Sequence, residues 1–188
     1  MSEQVEIKVP SKMIAAAMYF AAKGDARYYL NGVRIGKDRV TATNGHVMLD
    51  HKLENESGLD ADMIVAFKRA IPSDSYLTHF TVLDKDTVAV RHMSASGLLV
   101  GLDCCQIIDG KYPDVDKVLV PLLGEEVAVP TMTFNFSYLE LAAKAAKKIN
   151  KKWAAGKLRF YGPTAAIRIE AKCTDHGKAQ IVIMPMRD

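Results

Sequence analysis

One order of elements recurs along this chain: a strand, a helix, then three strands. Val5 to Val9 alternates apolar and charged side chains, the period of a half-buried strand. Pro10-Ser11 then offers an N-cap, and an alanine-rich stretch predicts a helix from about Lys12 to Lys23, stopped by Gly24. Tyr28 to Ile35, Arg39 to Thr43 and Val47 to Leu53 predict strands, separated by turn signals at Gly36-Lys37-Asp38 and Asn44-Gly45. The last third repeats the order. A strand is expected over Glu126 to Phe136, with Ser137 capping a helix from Tyr138 to about Lys152. Three strands then follow at Lys157 to Tyr161, Ala165 to Ala171 and Ala179 to Met184. The middle third keeps the pattern less cleanly. It has a strand at Met63 to Phe67, a short helix over Lys68 to Ile71 cut by Pro72, and strands at Tyr76 to Leu83, Thr87 to His92 and Gly97 to Asp103. Three β-α-β-β-β units, each about 60 residues long, predict an α+β architecture of sheets backed by helices on one side.

Composition narrows the function classes. The 188 residues suffice for one sizeable domain or one and a half small ones, and a net charge of +3 is compatible with nucleic acid without requiring it. The three cysteines form no spaced metal motif. In a strand Cys104 and Cys105 point to opposite faces, so at least one is a small core residue, and a reducing, cytoplasmic compartment is expected. The apolar run from Met13 to Ala22 is too short to span a membrane and follows Glu3 and Glu6, where a leader would carry positive charge. His46, His51, His79, His92 and His176 have no cysteine or carboxylate at metal-ligand spacing, and the chain has neither a phosphate-binding glycine loop nor a nucleophile elbow. No enzyme activity, cofactor or metal is expected.

The basic charge is organised. In the third helix Tyr138, Leu141, Ala142, Ala145 and Ile149 share one face, while Lys144, Lys147 and Lys151 project from roughly the opposite side with Lys148 and Lys152 flanking them. Lys12 and Lys23, eleven residues apart, would share a face of the first helix, and Lys68 and Arg69 would add two cations on the short middle helix. Such faces suit a phosphate backbone followed without reading sequence, and the same pattern is also that of an ordinary solvated surface.

Four segments carry a more specific signal: Arg27-Tyr28-Tyr29-Leu30-Asn31-Gly32, Thr41-Ala42-Thr43-Asn44-Gly45-His46, Gly110-Lys111-Tyr112-Pro113-Asp114 and Val182-Ile183-Met184-Pro185-Met186-Arg187. In this order, each at an element boundary, they resemble the bacterial DNA polymerase III beta subunit, the replicative sliding clamp. The resemblance implies the sliding-clamp fold, with residues 1–121 as a complete clamp-like domain like the middle one of that family, and residues 122–188 as the second half of its last domain. The family chain holds six β-α-β-β-β units where this one holds three.

The resemblance also implies a hydrophobic pocket between those domains that accepts short peptides from polymerases and other replication or repair proteins. The matching positions are Leu30, Thr43, Gly45, His46, Met48, Pro113, Lys117, Val118, Val182, Met184, Pro185, Met186 and Arg187. Two methionines beside a proline give a deformable apolar surface, and Arg187 suits a carboxylate. Alternation alone would instead make Met184 and Met186 one face of a core strand. Asp188 stands where the family ends in an apolar residue, Lys117 where arginine is common and Met48 where leucine is common. Lysine lacks the planar fork of arginine, so peptide preference is expected to differ.

Two functions follow from the resemblance. One is a ring on duplex DNA, with a polymerase and other clamp-binding-motif proteins docked on it and a clamp loader as a further partner. If twelve units close the ring, three per chain require four chains. An odd number of units also constrains how chains join if neighbours alternate in orientation. The other is an adaptor or competitor that keeps the pocket without encircling DNA.

Overall fold

The computed structural model describes residues 7–119, 132–150, 155–162, 164–172 and 178–186. The strands are β1 (Ile7–Pro10), β2 (Val33–Ile35), β3 (Arg39–Thr43), β4 (Val47–Lys52), β5 (Met63–Ala66), β6 (Leu77–Val82), β7 (Thr87–Met93), β8 (Leu99–Ile107), β9 (Gly156–Arg159), β10 (Ile167–Lys172) and β11 (Lys178–Ile183). The helices are α1 (Ser11–Ala17), the single turn α2 (Asp116–Leu119) and α3 (Phe136–Ile149). All eleven strands join one antiparallel sheet in the order β1-β6-β7-β8-β5-β2-β3-β4-β11-β10-β9.

Within that order the first two units exchange their leading strands. β1 pairs with β6 of the second unit, Ile7 opposite Phe80, and β5 pairs with β2 of the first, Val33 opposite Val65. Neither unit can therefore complete its sheet alone. The third unit joins through its last strand: β11 lies antiparallel to β4, with Leu49 opposite Ile181 and Met48 opposite Val182.

Helices α1 and α3 pack against each other and against one sheet face. Burial of Met13, Ile14, Ala16 and Ala17 from α1 and of Ala142, Ala145, Ala146 and Ile149 from α3 gives the main core, together with Val40, Ala42, Leu49, Ile181 and Ile183 from the sheet. The small side chains let the two helices approach closely. The expected apolar face of the third helix is thus the buried one, with Tyr138 and Leu141 at its margin.

Several sequence expectations are corrected. The first helix ends at Ala17, and tight turns carry the chain on, with Tyr19 and Phe20 donating to the Ala16 and Ala17 carbonyls. Lys12 and Lys23 therefore do not share a helix face. Ser11 does not cap this helix, because its hydroxyl lies 2.6 Å from Ser75 Oγ and 2.8 Å from Thr78 Oγ1 in the interior. Tyr28 to Leu30 forms a 3-10 turn, and only Val33 to Ile35 is strand. Lys68 to Ile71 is not helical: four residues ahead of a proline are too few to offset the cost of nucleating a helix. Phe136 starts α3 instead of ending a strand, since Asn135 Oδ1 accepts from the Ser137 N–H at 2.9 Å and so caps the helix two residues early. Most of the strand expected over Glu126 to Phe136 lies outside the described residues.

A candidate docking cleft on the face away from α1 and α3

Alternation along β4 and β11 splits the seam between them. Leu49 and Ile181 point into the helix-side core, so Met48 and Val182 point to the other face. There they cluster with Val115 and Ala166, flanked by Leu119 and Tyr161. The strap after β8 covers this cluster from one side and is pinned by Tyr112, whose hydroxyl accepts the Thr43 N–H at 2.9 Å. Burial pushes the Tyr112 phenol well above its ordinary value, so it stays protonated.

The β3–β4 turn forms a second wall. Asn44 Oδ1 accepts from the N–H groups of His46 and Val47 at 3.0 and 3.1 Å, and Gly45 sits at φ 88°, in the left-handed region. A Cβ at Gly45 would stand 2.7 Å from Nη1 of Arg27, whose guanidinium covers the turn. Arg27 is held there by Asp25, through Nε–Oδ1 at 3.0 Å and Nη2–Oδ2 at 2.8 Å. Those hydrogen bonds hold the Asp25 carboxyl down at about 2. The chain after β11 is tied to the same turn: the Met184 N–H donates to the His46 carbonyl at 3.2 Å, and the His46 ring stacks on Tyr138 of α3 at 6.4 Å.

Between these walls lies a cleft of about 280 Å³. Leu30, Thr43, Gly45, His46, Met48, Pro113, Val118, Val182 and Met184, all expected from the sequence, line it. Met184 and Met186 are exposed, at 44% and 54%, so they are surface and not the core-strand face that alternation alone suggested. β11 ends at Ile183, and Pro185 and Met186 continue past the cleft, the Met186 N–H donating to the Thr133 carbonyl at 2.8 Å. Lys117 faces an adjoining depression and lies 3.9 Å from the Asp114 carboxylate. Arg187 lies outside the described residues. The sequence reading missed Arg27, Tyr29, Val47, Tyr112, Asp114 and Val115 as lining residues. Four of these stand inside the quoted motifs, which was the available signal.

The opposite, helix-side face gathers the expected cations. Lys12, Lys144, Lys147 and Lys148 surround a depression of about 360 Å³ beside α1, together with Tyr19, Pro72 and Ser73. Lys23, Lys68, Arg69 and Lys148 border a second one of about 360 Å³, next to the segment where the middle helix was expected. The charge is partly countered, with Lys144 2.7 Å from Glu140 and Arg69 3.5 Å from Asp103. Lys151 and Lys152 lie outside the described residues.

Among the described residues, no group of three or more His, Cys, Asp or Glu side chains could hold a metal, and no helix is long and apolar enough to cross a membrane. Cys104 is exposed and Cys105 buried, as their positions on opposite faces of β8 require. Burial pushes the Cys105 thiol up to about 11. In the folded protein at neutral pH, iodoacetamide is expected to alkylate Cys104 much faster than Cys105, read by peptide mass spectrometry; equal labelling would contradict the burial.

No protein-family model matches the chain. It is 25% identical over 199 residues to a beta sliding clamp from Haemophilus influenzae, across 96% of this chain and 50% of that protein. Solved structures with the same fold include sliding clamps from Bacillus subtilis, Bartonella birtlesii and Caulobacter crescentus. The B. subtilis clamp aligns with a TM-score of 0.63 at 15% identity, over 100% of this chain and 66% of that one. The B. birtlesii clamp, solved bound to griselimycin, gives 0.67 at 14% over 98% and 66%. The C. crescentus clamp, solved with a polyethylene glycol at a putative beta-motif tethering region, gives 0.65 at 18% over 100% and 67%. The chain has the sliding-clamp fold and is similar to the bacterial DNA polymerase III beta subunit, spanning about half the length of the curated relative it matches.

Proposed function

We propose that this chain is a DNA sliding clamp, a non-enzymatic processivity platform of the cytoplasm that assembles as a ring on duplex DNA and docks replication proteins in the Met48–Val182 cleft. In this reading residues 1–121 act as a complete clamp domain and residues 122–188 as half of one. The observation that carries the proposal is the division of labour across one sheet. An apolar cleft rimmed by methionine lies on one face, and the cations of the α1–α3 layer lie on the other. A peptide can then be held outside while a phosphate backbone runs inside, each without obstructing the other. The cations would act by counterion release, so affinity for DNA would fall steeply with salt and be indifferent to sequence. The cleft would take apolar side chains of a clamp-binding peptide, beside the turn that the Asp25-held Arg27 covers.

The combined Lys144→Glu/Lys147→Glu/Lys148→Glu variant tests the inner face. Those side chains are exposed, so folding should survive the change. Association with a long duplex at low salt is expected to drop by roughly tenfold or more, with a shallower salt dependence, while peptide affinity stays unchanged. Unaltered DNA association would sink the ring reading and leave the adaptor, which needs only the cleft.

A further inference from the structure

We propose that the open edge of β8 pairs with β8 of a second copy of this chain, antiparallel about a two-fold axis. On one side β8 follows β7, from Gln106 opposite Thr87 to Leu99 opposite Met93. On the other, β5 reaches only Ile107 and Gln106. Among the described residues, no strand and no backbone hydrogen bond covers that side of Leu99 to Cys105. The segment after β5 passes close by, but on the helix-side face. There Pro72 Cγ lies 2.9 Å from where a Cβ on Gly101 would stand, and Arg69 meets Asp103 at 3.5 Å. Both contacts leave the edge itself open.

The surface beside that edge is apolar. Leu98, Leu99 and Leu102 are 67%, 56% and 63% exposed. The one charged residue from Leu99 to Cys105 is Asp103, already engaged by Arg69. Open edges that stay solvated are usually shortened, charged or covered, and this one is long and leucine-rich.

The sheet itself indicates what covers it. β4, β8 and β11 are the last strands of the three units. β4 has its far side taken by β11, antiparallel, so in this sheet a last strand pairs with a last strand about a local two-fold. Among the described residues β8 is the unit-ending strand left open, and its counterpart in kind is β8 of another copy. The matching register can be read off. Leu49, at the centre of the β4–β11 pairing, stands opposite Ala42, and Gly101 stands opposite His92 at the equivalent place. The axis therefore passes near Gly101 and Leu102. Pairing of like strands is self-complementary and closes after two copies.

This deepens the ring reading and rests on it for its purpose. Units joined last strand to last strand alternate in orientation, and a two-fold contact at β8 continues the alternation that β4 and β11 begin.

The test uses the full chain, followed by sedimentation equilibrium over a range of concentrations. The unmodified chain is expected to self-associate. Leu102→Lys, which sets two ammonium groups near the axis, should weaken that association at least tenfold with an unchanged circular dichroism spectrum. In a Cys104→Ser/Cys173→Ser background, Leu102→Cys is expected to yield a covalent dimer with a bis-maleimide of about 8 Å reach, the span of a diagonal cross-strand pair. If the chain associates but Leu102→Lys leaves it unaffected and Leu102→Cys does not cross-link, β8 pairing is overturned while a ring built through another surface stands. A chain that stays monomeric at the highest concentration reached overturns both.

Discussion

The double substitution Met184→Ala/Met186→Ala is expected to weaken binding of a clamp-binding peptide by about 10- to 100-fold, or about 1.4–2.7 kcal/mol. Met184 lines the cleft at the mouth nearest the β3–β4 turn, and Met186 lies just beyond it. Truncating both would remove several methylene equivalents of apolar contact, each worth about 0.8 kcal/mol when fully buried. It would also remove the unbranched side chains that can adapt to different peptides. Both residues are exposed in the free protein, so the melting temperature should barely move. That separates a docking role from a structural one. Fluorescence anisotropy of a labelled peptide gives the affinity; a value equal to that of the unmodified chain would remove the cleft from the docking role.

Leu49→Ala is expected to have the largest effect on stability, lowering the unfolding free energy by about 2–5 kcal/mol. Leu49 is fully buried, faces Ile181 across the seam, and belongs to the core that α1 and α3 share with the sheet. The loss combines the transfer energy of the removed side chain with the cavity left behind. The cavity would be hard to fill, because its neighbours come from both sides of the seam and are fixed by strand pairing. Met48 is the adjacent residue, so looser packing at the seam should also weaken peptide binding. Urea denaturation measures the first effect. A variant as stable as the parent would show that the third unit does not share its core with the first.

Much of this was legible in the sequence for local reasons. Period-two alternation and turn residues placed most of the strands, because a half-buried strand must alternate and Asn44-Gly45 has few conformations other than a tight turn. The apolar stripe of α3 was legible from Leu141 to Ile149 for the same kind of reason, with period 3.6 in place of two. The failures have local causes too. Tyr28 to Leu30 has strand-forming side chains, yet its backbone is drawn into a 3-10 turn that places Leu30 beside Ile64 and Tyr112. Ser11 looked like a cap, but a buried hydroxyl needs partners, and Ser75 and Thr78 supply them from more than sixty residues away.

The cleft shows the same division. The four motifs named most of its residues, yet they are separated by up to about 150 positions and nothing local in them says that they meet. They meet because β11 docks on β4 in the register that sets Val182 against Met48, and because Tyr112 reaches the Thr43 amide. By itself the sequence determined the strand, helix and three-strand order of the first unit, the helix and three strands near the end of the chain, the apolar face of α3, and most of the residues that line the cleft. Only the tertiary structure decided that the first two units exchange leading strands, that Lys12 and Lys23 gather round depressions instead of sharing a helix face, and that no strand among the described residues covers one edge of β8 from Leu99 to Cys105. Propensity and periodicity act over a few residues, whereas strand order is chosen by which distant faces can be buried together.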